Sequence, residues 1–170
     1  MPIQISFFQS PVGLLEIKAG DEYIYSVLFN TTLKKPGTGI NIEAKEESNH
    51  PLSMECERQL KEYFDGVRTA FAFPFQQSGS VFQQQVWAEL LNIPFGRTIS
   101  YMELSKRIKN IKAIRAVGTA NGSNALSIIV PCHRVIGSNG DLTGYSGDVW
   151  RKKWLLDHEG KFANGVQTLF

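Results

Sequence analysis

Short β-rich segments open the chain. Each combines β-branched and aromatic side chains with partial alternation of apolar and polar positions, and turn residues such as Ser10-Pro11 and Gly20-Asp21 separate the segments. They cover residues 3–8, 12–18 and 23–29. This pattern predicts an antiparallel meander, and the alternating phenylalanines of residues 71–75 predict one further strand.

One helix is predicted after a polar stretch. Residues 31–50 are rich in charged residues, Gly and Pro, so we expect them to form a solvated loop. Apolar side chains then recur at every fourth position, which predicts a helix from Pro51 to Gly66. Cys56 lies on the apolar stripe of that helix, and we therefore interpret it as an inert thiol of the core.

The second half of the chain has mainly helical patterns. Ser80 with Gln83 and Ser100 with Glu103 are capping-box patterns, in which the serine and the third residue after it cap each other, so each predicts the start of a helix. Beyond the first helix, which opens at Ser80, the predicted helices cover residues 101–109, 113–120 and 148–159.

Short strands are predicted between the last two of these helices. Residues 127–130 form an apolar run that favours a buried strand. Val135-Ile136 and Leu142 flank a Gly-Ser-Asn-Gly turn that is typical of a small hairpin. Gly160 is expected to end the last helix.

The order of these elements predicts an α+β fold with two domains, a small α/β domain at residues 1–76 and a second domain at residues 79–170. Three helices followed by a hairpin is the order of a winged helix-turn-helix, in which residues 113–120 would be the recognition helix. That helix has few of the long polar side chains that read base edges. The pattern therefore favours a protein that reads DNA shape or damage over a sequence-specific repressor.

Composition excludes several classes of protein. The 170 residues are 42% hydrophobic and 20% charged, which is typical of a globular chain. The longest apolar runs fall far short of the roughly 20 residues that span a bilayer, and the N-terminal residues lack the features of a signal peptide. Two cysteines cannot form a disulfide framework or a four-cysteine zinc site, so we expect a reducing, cytoplasmic compartment.

Charge is distributed unevenly along the chain. Residues 1–78 contain seven Lys/Arg and ten Asp/Glu, whereas residues 79–170 contain eleven Lys/Arg and six Asp/Glu. The basic second half is either a nucleic-acid-binding surface or an ordinary solvated surface.

One segment carries candidate chemistry. Cys132 and His133 are neighbours directly after the apolar run of residues 127–130. A thiol is nucleophilic only as the thiolate, and its pKa of ~8.5 has to be lowered by a base or a positive charge. Adjacent residues of an extended chain point to opposite faces, so His133 would act on Cys132 through a local twist or a bridging water. On spacing alone, Cys132 is either a catalytic nucleophile or a buried structural thiol.

Residues 131–135, Pro-Cys-His-Arg-Val, resemble the active-site motif of the methylated-DNA–protein-cysteine methyltransferases (O6-alkylguanine-DNA alkyltransferases). Further stretches resemble the other motifs of that family, in the same order and at similar spacings: Thr98–Tyr101, Arg115–Gly118, Asn124, Gly144–Gly147 and Lys152–Gly160. The resemblance covers residues 79–170, and residues 1–75 match the family's ribonuclease H-like N-terminal domain only in pattern.

The resemblance implies direct-reversal DNA repair. The alkyl group of O6-alkylguanine, and of O4-alkylthymine, would pass irreversibly to a cysteine of the protein, in a reaction that consumes one protein molecule for each alkyl group. A thioether has no carbonyl for water to attack, so the product is not hydrolysed. The expected partner is double-stranded DNA with a flipped-out base, and the protein is expected to be a monomer without a cofactor. Some relatives carry a structural zinc in the N-terminal domain, but that region here offers only Cys56 and His50, so no metal is expected.

The resemblance also implies roles for individual residues. Cys132 would accept the alkyl group, His133 would take its proton through a water, Glu159 would orient His133, and Tyr101 would donate a hydrogen bond to the departing purine. The base pocket would be formed by Asn124, Val135, Tyr145 and Ser146. The DNA-binding residues would be Arg115, Ala116, Thr119, Ala120 and Lys106.

Several alternatives accompany these assignments. Arg115 would fill the gap that the extruded nucleotide leaves, whereas Lys106 is either a phosphate contact or a solvated charge. Arg134 is interpreted as structural, and the role of Lys152 is open. The rival functions are a damage-binding relative without transfer activity, a cysteine hydrolase and a winged-helix regulator. Damage-binding relatives replace the acceptor cysteine, whereas Cys132 is present here. A cysteine hydrolase would leave the DNA-binding unit unexplained. The recognition helix, with few long polar side chains, disfavours a winged-helix regulator.

Overall fold

A computed structural model of the chain describes residues 3–30, 50–142 and 148–163. The chain divides into two compact units, one made of residues 1–77 with 125–127 and the other of residues 78–124 with 128–170. The elements are mixed α and β, as the sequence predicts. Among the described residues, no helix has the length and apolar character needed to cross a bilayer.

The first unit is built on an antiparallel sheet with strand order β1-β2-β3. The strands are β1 (Gln4–Ser10), β2 (Gly13–Ala19) and β3 (Ile24–Phe29), which confirms the predicted meander. Helix α1 (Pro51–Phe64) packs on this sheet, and Cys56 is buried within it. Burial raises the pKa of the Cys56 thiol far above its usual range, which agrees with an inert thiol of the core.

The predicted strand at residues 71–75 does not form. Phe75 makes only an isolated bridge to Ile24. Pro74 lies inside the segment and has no backbone N–H to contribute to a ladder, which limits strand pairing there. The alternation instead reflects aromatic packing, with ring centroids of Phe71 and Phe73 5.9 Å apart and those of Phe73 and Phe75 6.3 Å apart.

The second unit is mainly helical. Its helices are α2 (Val81–Leu90), α3 (Tyr101–Arg107), α4 (Ile114–Gly122) and α5 (Val149–Ala163). The Oγ atoms of Ser80 and Ser100 accept hydrogen bonds from the backbone N–H groups of Gln83 and Glu103. The reciprocal bond of a capping box is present at Ser80, whereas the carboxylate of Glu103 accepts from Arg107. The indole of Trp87 on α2 donates to the carbonyl of Ala120 on α4 at 2.8 Å, which fixes α4 against α2.

Three local predictions in this unit are wrong. Residues 127–130 form turns rather than a strand, and Ile128 has a φ of 73°, which interrupts an extended chain. The predicted hairpin is replaced by a parallel pairing of β4 (Ile99–Ser100) with β5 (Val135–Ile136). Helix α5 continues through Gly160, so this glycine is not a helix stop.

Candidate active site

Cys132 and His133 lie in a short 3₁₀ turn, Cys132–Arg134, directly after Pro131. The backbone N–H of Cys132 donates to the carbonyl of Val130 at 2.8 Å, which closes the chain back on itself before the turn. Cys132 is 3% exposed and His133 is fully buried. The two residues are therefore not in an extended chain, and the geometry that separates neighbouring side chains in a strand does not apply to them.

A buried ion network holds the histidine. Nε2 of His133 lies 2.6 Å from Oε2 of Glu159, which comes from α5. Arg134 binds the same carboxylate twice, through Nε to Oε1 at 2.7 Å and through Nη2 to Oε2 at 3.1 Å. The Nη1 atom of Arg134 donates to the carbonyl of Ile93 at 2.7 Å. This bidentate arrangement fixes the position of Glu159, and Glu159 in turn fixes the histidine ring.

The electrostatics of this network keep Glu159 ionised. Burial alone would raise the pKa of the Glu159 carboxyl, but the hydrogen bonds from His133 and Arg134 and the charge of Arg134 outweigh burial and hold that pKa well below its usual range. Because an ionised carboxylate only accepts hydrogen bonds, Nε2 of His133 carries the hydrogen between them.

The other ring nitrogen of His133 has a different environment. Nδ1 is buried and has no hydrogen-bond partner among the residues that the structure describes. In a neutral imidazole whose Nε2 carries the hydrogen, Nδ1 keeps a lone pair and can accept a proton. The imidazole of His133 is thus fixed by Glu159 at Nε2, while Nδ1 can accept a proton.

The thiol of Cys132 has opposing influences on its ionisation. Burial raises the pKa of the Cys132 thiol above its usual value, while a hydrogen bond from Asn124 and the positive charge of Lys152 act in the opposite direction. The amide of Asn124 also donates to the carbonyl of Val130 at 2.8 Å, so this side chain joins the turn before Cys132 to the thiol itself. Burial is the largest of these influences, and the thiol therefore needs a base to become nucleophilic.

Tyr101 and Lys152 lie close to each other. Nζ of Lys152 is 5.8 Å from the ring centroid of Tyr101, and the lysine side chain is buried. Burial lowers the pKa of Lys152 and raises the pKa of Tyr101, and both groups interact electrostatically with Cys132. Tyr101 begins α3, Lys152 lies on α5 and Cys132 lies in the 3₁₀ turn, so three elements contribute to the electrostatic environment of the thiol.

The remaining predicted pocket residues are only partly described. Val135 is buried, and its backbone N–H donates to the carbonyl of Cys132, so it lies directly against the reactive turn. Tyr145 and Ser146 lie outside the described residues. Within the described parts of the chain, no three His, Cys, Asp or Glu side chains are grouped so that they could hold a metal ion.

The predicted DNA-binding residues divide between two faces of α4. Arg115, Ala116 and Thr119 are exposed on one face. Ala120 does not share that face, because it is only 2% exposed and its carbonyl accepts the hydrogen bond from Trp87. Lys106 is exposed on α3.

Comparison with known proteins places this geometry in a family. A family model described as "6-O-methylguanine DNA methyltransferase, ribonuclease-like domain" matches residues 3–77, and one described as "6-O-methylguanine DNA methyltransferase, DNA binding domain" matches residues 81–161. A methylated-DNA–protein-cysteine methyltransferase of Methanosarcina acetivorans is 41% identical over 155 residues, which cover 91% of this chain and 97% of the relative. The chain belongs to the methylated-DNA–protein-cysteine methyltransferases.

Solved structures agree with this membership. The crystal structure of the O6-methylguanine methyltransferase of Mycobacterium tuberculosis is similar to this methyltransferase with a TM-score of 0.81 at 37% identity, over 99% of each chain. A structure of the OGT of the same organism in complex with DNA is similar with a TM-score of 0.79 at 36% identity, over 93% of each chain. The methyltransferase described here thus repairs DNA by direct transfer of an alkyl group to the protein, and DNA is its partner.

Two polar residues of the site were not predicted from the sequence of the methyltransferase. Arg134 was interpreted as structural, yet it binds both carboxylate oxygens of Glu159 and so orients the residue that orients His133. Asn121 follows the predicted helix of residues 113–120, and its side chain donates to the carbonyl of Cys132 at 3.3 Å. For Arg134, its position directly after His133 could have indicated this role, because a buried arginine needs a carboxylate partner. No local signal pointed to Asn121.

Proposed function

We propose that this methyltransferase transfers one alkyl group from O6 of guanine in duplex DNA to Sγ of Cys132, and that each protein molecule reacts once. The observation that carries this assignment is the buried His133–Glu159 pair beside the thiol, with Nδ1 of His133 left without a partner among the described residues. Cys56 is the only other cysteine of the chain, and it is buried in the core of the first unit.

The proton of the thiol would pass to His133. The carboxylate of Glu159 fixes the tautomer in which Nδ1 accepts, and a water between Sγ and Nδ1 would carry the proton from one to the other. As the proton leaves, Glu159 stabilises the imidazolium that forms, as the acid does in hydrolytic triads. Arg134 would keep the carboxylate in place during this change of charge.

The transfer step exchanges one bond for another. The thiolate attacks the alkyl carbon, the S–C bond forms and the bond between that carbon and O6 breaks, with the electron pair moving onto the purine. Tyr101 would donate a hydrogen bond from its hydroxyl to the purine ring, where negative charge develops. The product is S-alkylcysteine, whose thioether offers no carbonyl to water, so the protein is not regenerated.

The base pocket and the DNA surface complete the proposal. Asn124, Val135, Tyr145 and Ser146 would surround the flipped base, and Asn124 and Val135 support this because both contact the turn of Cys132. The exposed face of α4 would enter the DNA, with Arg115 in the gap left by the extruded nucleotide. Lys106 would contact phosphate, whereas the burial of Ala120 removes this residue from the proposed contact face.

Four further assignments follow from the family and the sequence. We propose O4-alkylthymine as a second lesion, a monomeric protein, a cytoplasmic location, and domains that correspond to residues 1–76 and 79–170. The two compact units support the division into domains, although residues 125–127 of the second domain belong to the first unit.

The stoichiometry of methyl transfer tests the proposed function. Duplex DNA that carries O6-methylguanine is supplied in large excess, and repaired guanine and the intact mass of the protein are measured together. We expect repair to stop when each protein molecule carries one methyl group. Continued repair by substoichiometric protein would indicate hydrolysis, and binding without a mass change would indicate a damage-binding protein that does not transfer.

A further inference from the structure

Asn121 is a buried polar residue that the mechanism above does not use. It lies on α4, is 2% exposed, and its Nδ2 atom donates to the carbonyl of Cys132 at 3.3 Å. Because a carbonyl only accepts hydrogen bonds, the nitrogen of the amide has to face Cys132, and this fixes which way the amide points. Its Oδ1 atom is buried and has no hydrogen-bond partner among the described residues.

The same helix face contacts Tyr101. A Cβ atom placed on Gly118 would lie 3.9 Å from both Cδ1 and Cε1 of Tyr101, so the tyrosine ring lies against α4 at this glycine. Asn121 is three positions further along the helix, which places it on the same face as Gly118. Asn121 acts to lower the pKa of the Tyr101 hydroxyl, against the larger effect of burial, as an amide N–H directed at that oxygen does. Asn121 therefore connects the backbone of the nucleophile to the hydroxyl of Tyr101.

The direction of the hydrogen bond between Asn121 and Tyr101 determines where the hydroxyl hydrogen of Tyr101 can point. An amide N–H that donates to a phenolic oxygen occupies a lone pair of that oxygen and leaves the O–H to point elsewhere. The unpartnered Oδ1 atom shows that Asn121 does not accept a hydrogen bond from Tyr101 instead. A buried amide oxygen without a partner is costly, and such exceptions in native structures commonly reflect function.

We propose that Asn121 is a positioning residue, whose amide donates to both the Cys132 carbonyl and the Tyr101 hydroxyl and so directs the tyrosine proton towards the departing base. This inference rests on the proposed function, in which Tyr101 donates to the purine. The hydrogen bond to the Cys132 carbonyl, which also accepts from the backbone N–H of Val135, anchors the amide, and Asn121 acts on the reaction through Tyr101.

A double-mutant cycle separates this role from a structural one. Asn121→Leu removes the amide and keeps a similar volume, and we expect the maximal single-turnover rate on duplex DNA to fall about tenfold, the effect of one hydrogen bond on a rate. In a Tyr101→Phe background the same change should have an effect of less than about twofold, because the hydroxyl that Asn121 orients is gone. A tenfold loss that persists in that background would overturn the proposal.

The titration of Tyr101 gives a readout that does not depend on alkyl transfer. The difference in ultraviolet absorbance between each protein and its Tyr101→Phe variant reports the pKa of this one tyrosine. Asn121→Leu removes a hydrogen bond that favours the phenolate, so the pKa of Tyr101 should rise. An unchanged titration would contradict the proposal, even if the protein transferred no alkyl group at all.

Two further variants keep the test decisive. Asn121→Asp keeps the shape of the side chain but can only accept a hydrogen bond from Tyr101, so it should slow transfer and raise the tyrosine pKa even if Asn121→Leu fails to fold. Ser123→Ala serves as the matched control, because Ser123 caps the same helix end through the carbonyl of Ala120 and lies outside the site. Its rate and its tyrosine titration should equal those of the unmodified protein. Loss of transfer in this control would assign the effect of Asn121 to helix stability.

Discussion

The reactivity of Cys132 depends on a balance between burial and charge. Burial raises the pKa of the thiol, and the cation that lowers it, Lys152, is itself buried. At neutral pH the thiol is therefore mainly protonated, and the rate of transfer should follow both proton loss to His133 and the thiolate fraction. In the proposed mechanism, the network of Arg134, Glu159 and His133 receives the proton of the thiol.

Replacement of Lys152 by methionine tests this balance. The charge of Lys152 lowers the pKa of Cys132, so its removal should raise that pKa and move the rate–pH profile to higher pH. Each unit of displacement reduces the thiolate fraction about tenfold at neutral pH, and the two proteins should approach equal rates in alkaline solution. The measurement is the single-turnover rate against pH.

Lys153→Met is the matched control for this experiment. Lys153 is the exposed neighbour of Lys152 and forms an ion pair with Asp157 at 2.7 Å. Its replacement removes the same charge from α5 without reaching the thiol, so the pH profile should not move. If Lys152→Met instead reduced the single-turnover rate by the same factor at every pH, Lys152 would only support the fold.

Helix α4 has a buried face and an exposed face, and the exposed face is the one proposed to bind DNA. Val117, Ala120 and Asn121 are buried, whereas Arg115, Ala116 and Thr119 are exposed. The small exposed side chains allow the helix backbone to come close to DNA. Arg115 is the one long side chain among these three, and its guanidinium is planar and always charged, which suits a role in a gap in the base stack.

Removal of Arg115 should hinder base flipping and leave alkyl transfer to Cys132 largely unchanged. Unstacking and unpairing a base costs a few kcal/mol, so Arg115→Ala should slow repair of duplex DNA by about one to two orders of magnitude. Reaction with free O6-benzylguanine, which needs no flipping, should change far less. Lys112 is exposed in the short 3₁₀ helix Ile111–Ala113 before α4, so Lys112→Ala removes an equal charge nearby and should slow duplex repair much less than Arg115→Ala. Equal slowing of both substrates by Arg115→Ala would exclude the proposed role of Arg115.

At the scale of elements, the serine caps were predictable from local sequence, whereas the apolar run, the glycine stop at Gly160 and the non-local strand pairing were not. The start of α2 was predictable because Ser80 and Gln83 cap each other within one turn. The pairing of β5 with β4 was not, because it joins residues far apart in the sequence and no local pattern records it. Residues 127–130 are buried as expected, yet an apolar run does not distinguish a strand from a buried turn.

At the scale of the whole molecule, the site is assembled from distant parts of one unit. Tyr101, Cys132 and Glu159 come from α3, a 3₁₀ turn and α5. The sequence alone indicated only the adjacent Cys132 and His133, and Glu159 entered through resemblance to a family. The links made by Arg134 and Asn121 depend on which buried groups meet after folding, and propensity and spacing do not contain that information.

The position of the transferred methyl group tests the central claim most directly. After reaction with duplex DNA that carries O6-methylguanine, the protein is digested and its peptides are sequenced by mass spectrometry, with Cys132→Ser as the control. We predict that the methyl group lies on Cys132 in every reacted molecule and that Cys132→Ser acquires none. A methyl group on Cys56, or transfer that persists in Cys132→Ser, would contradict the account.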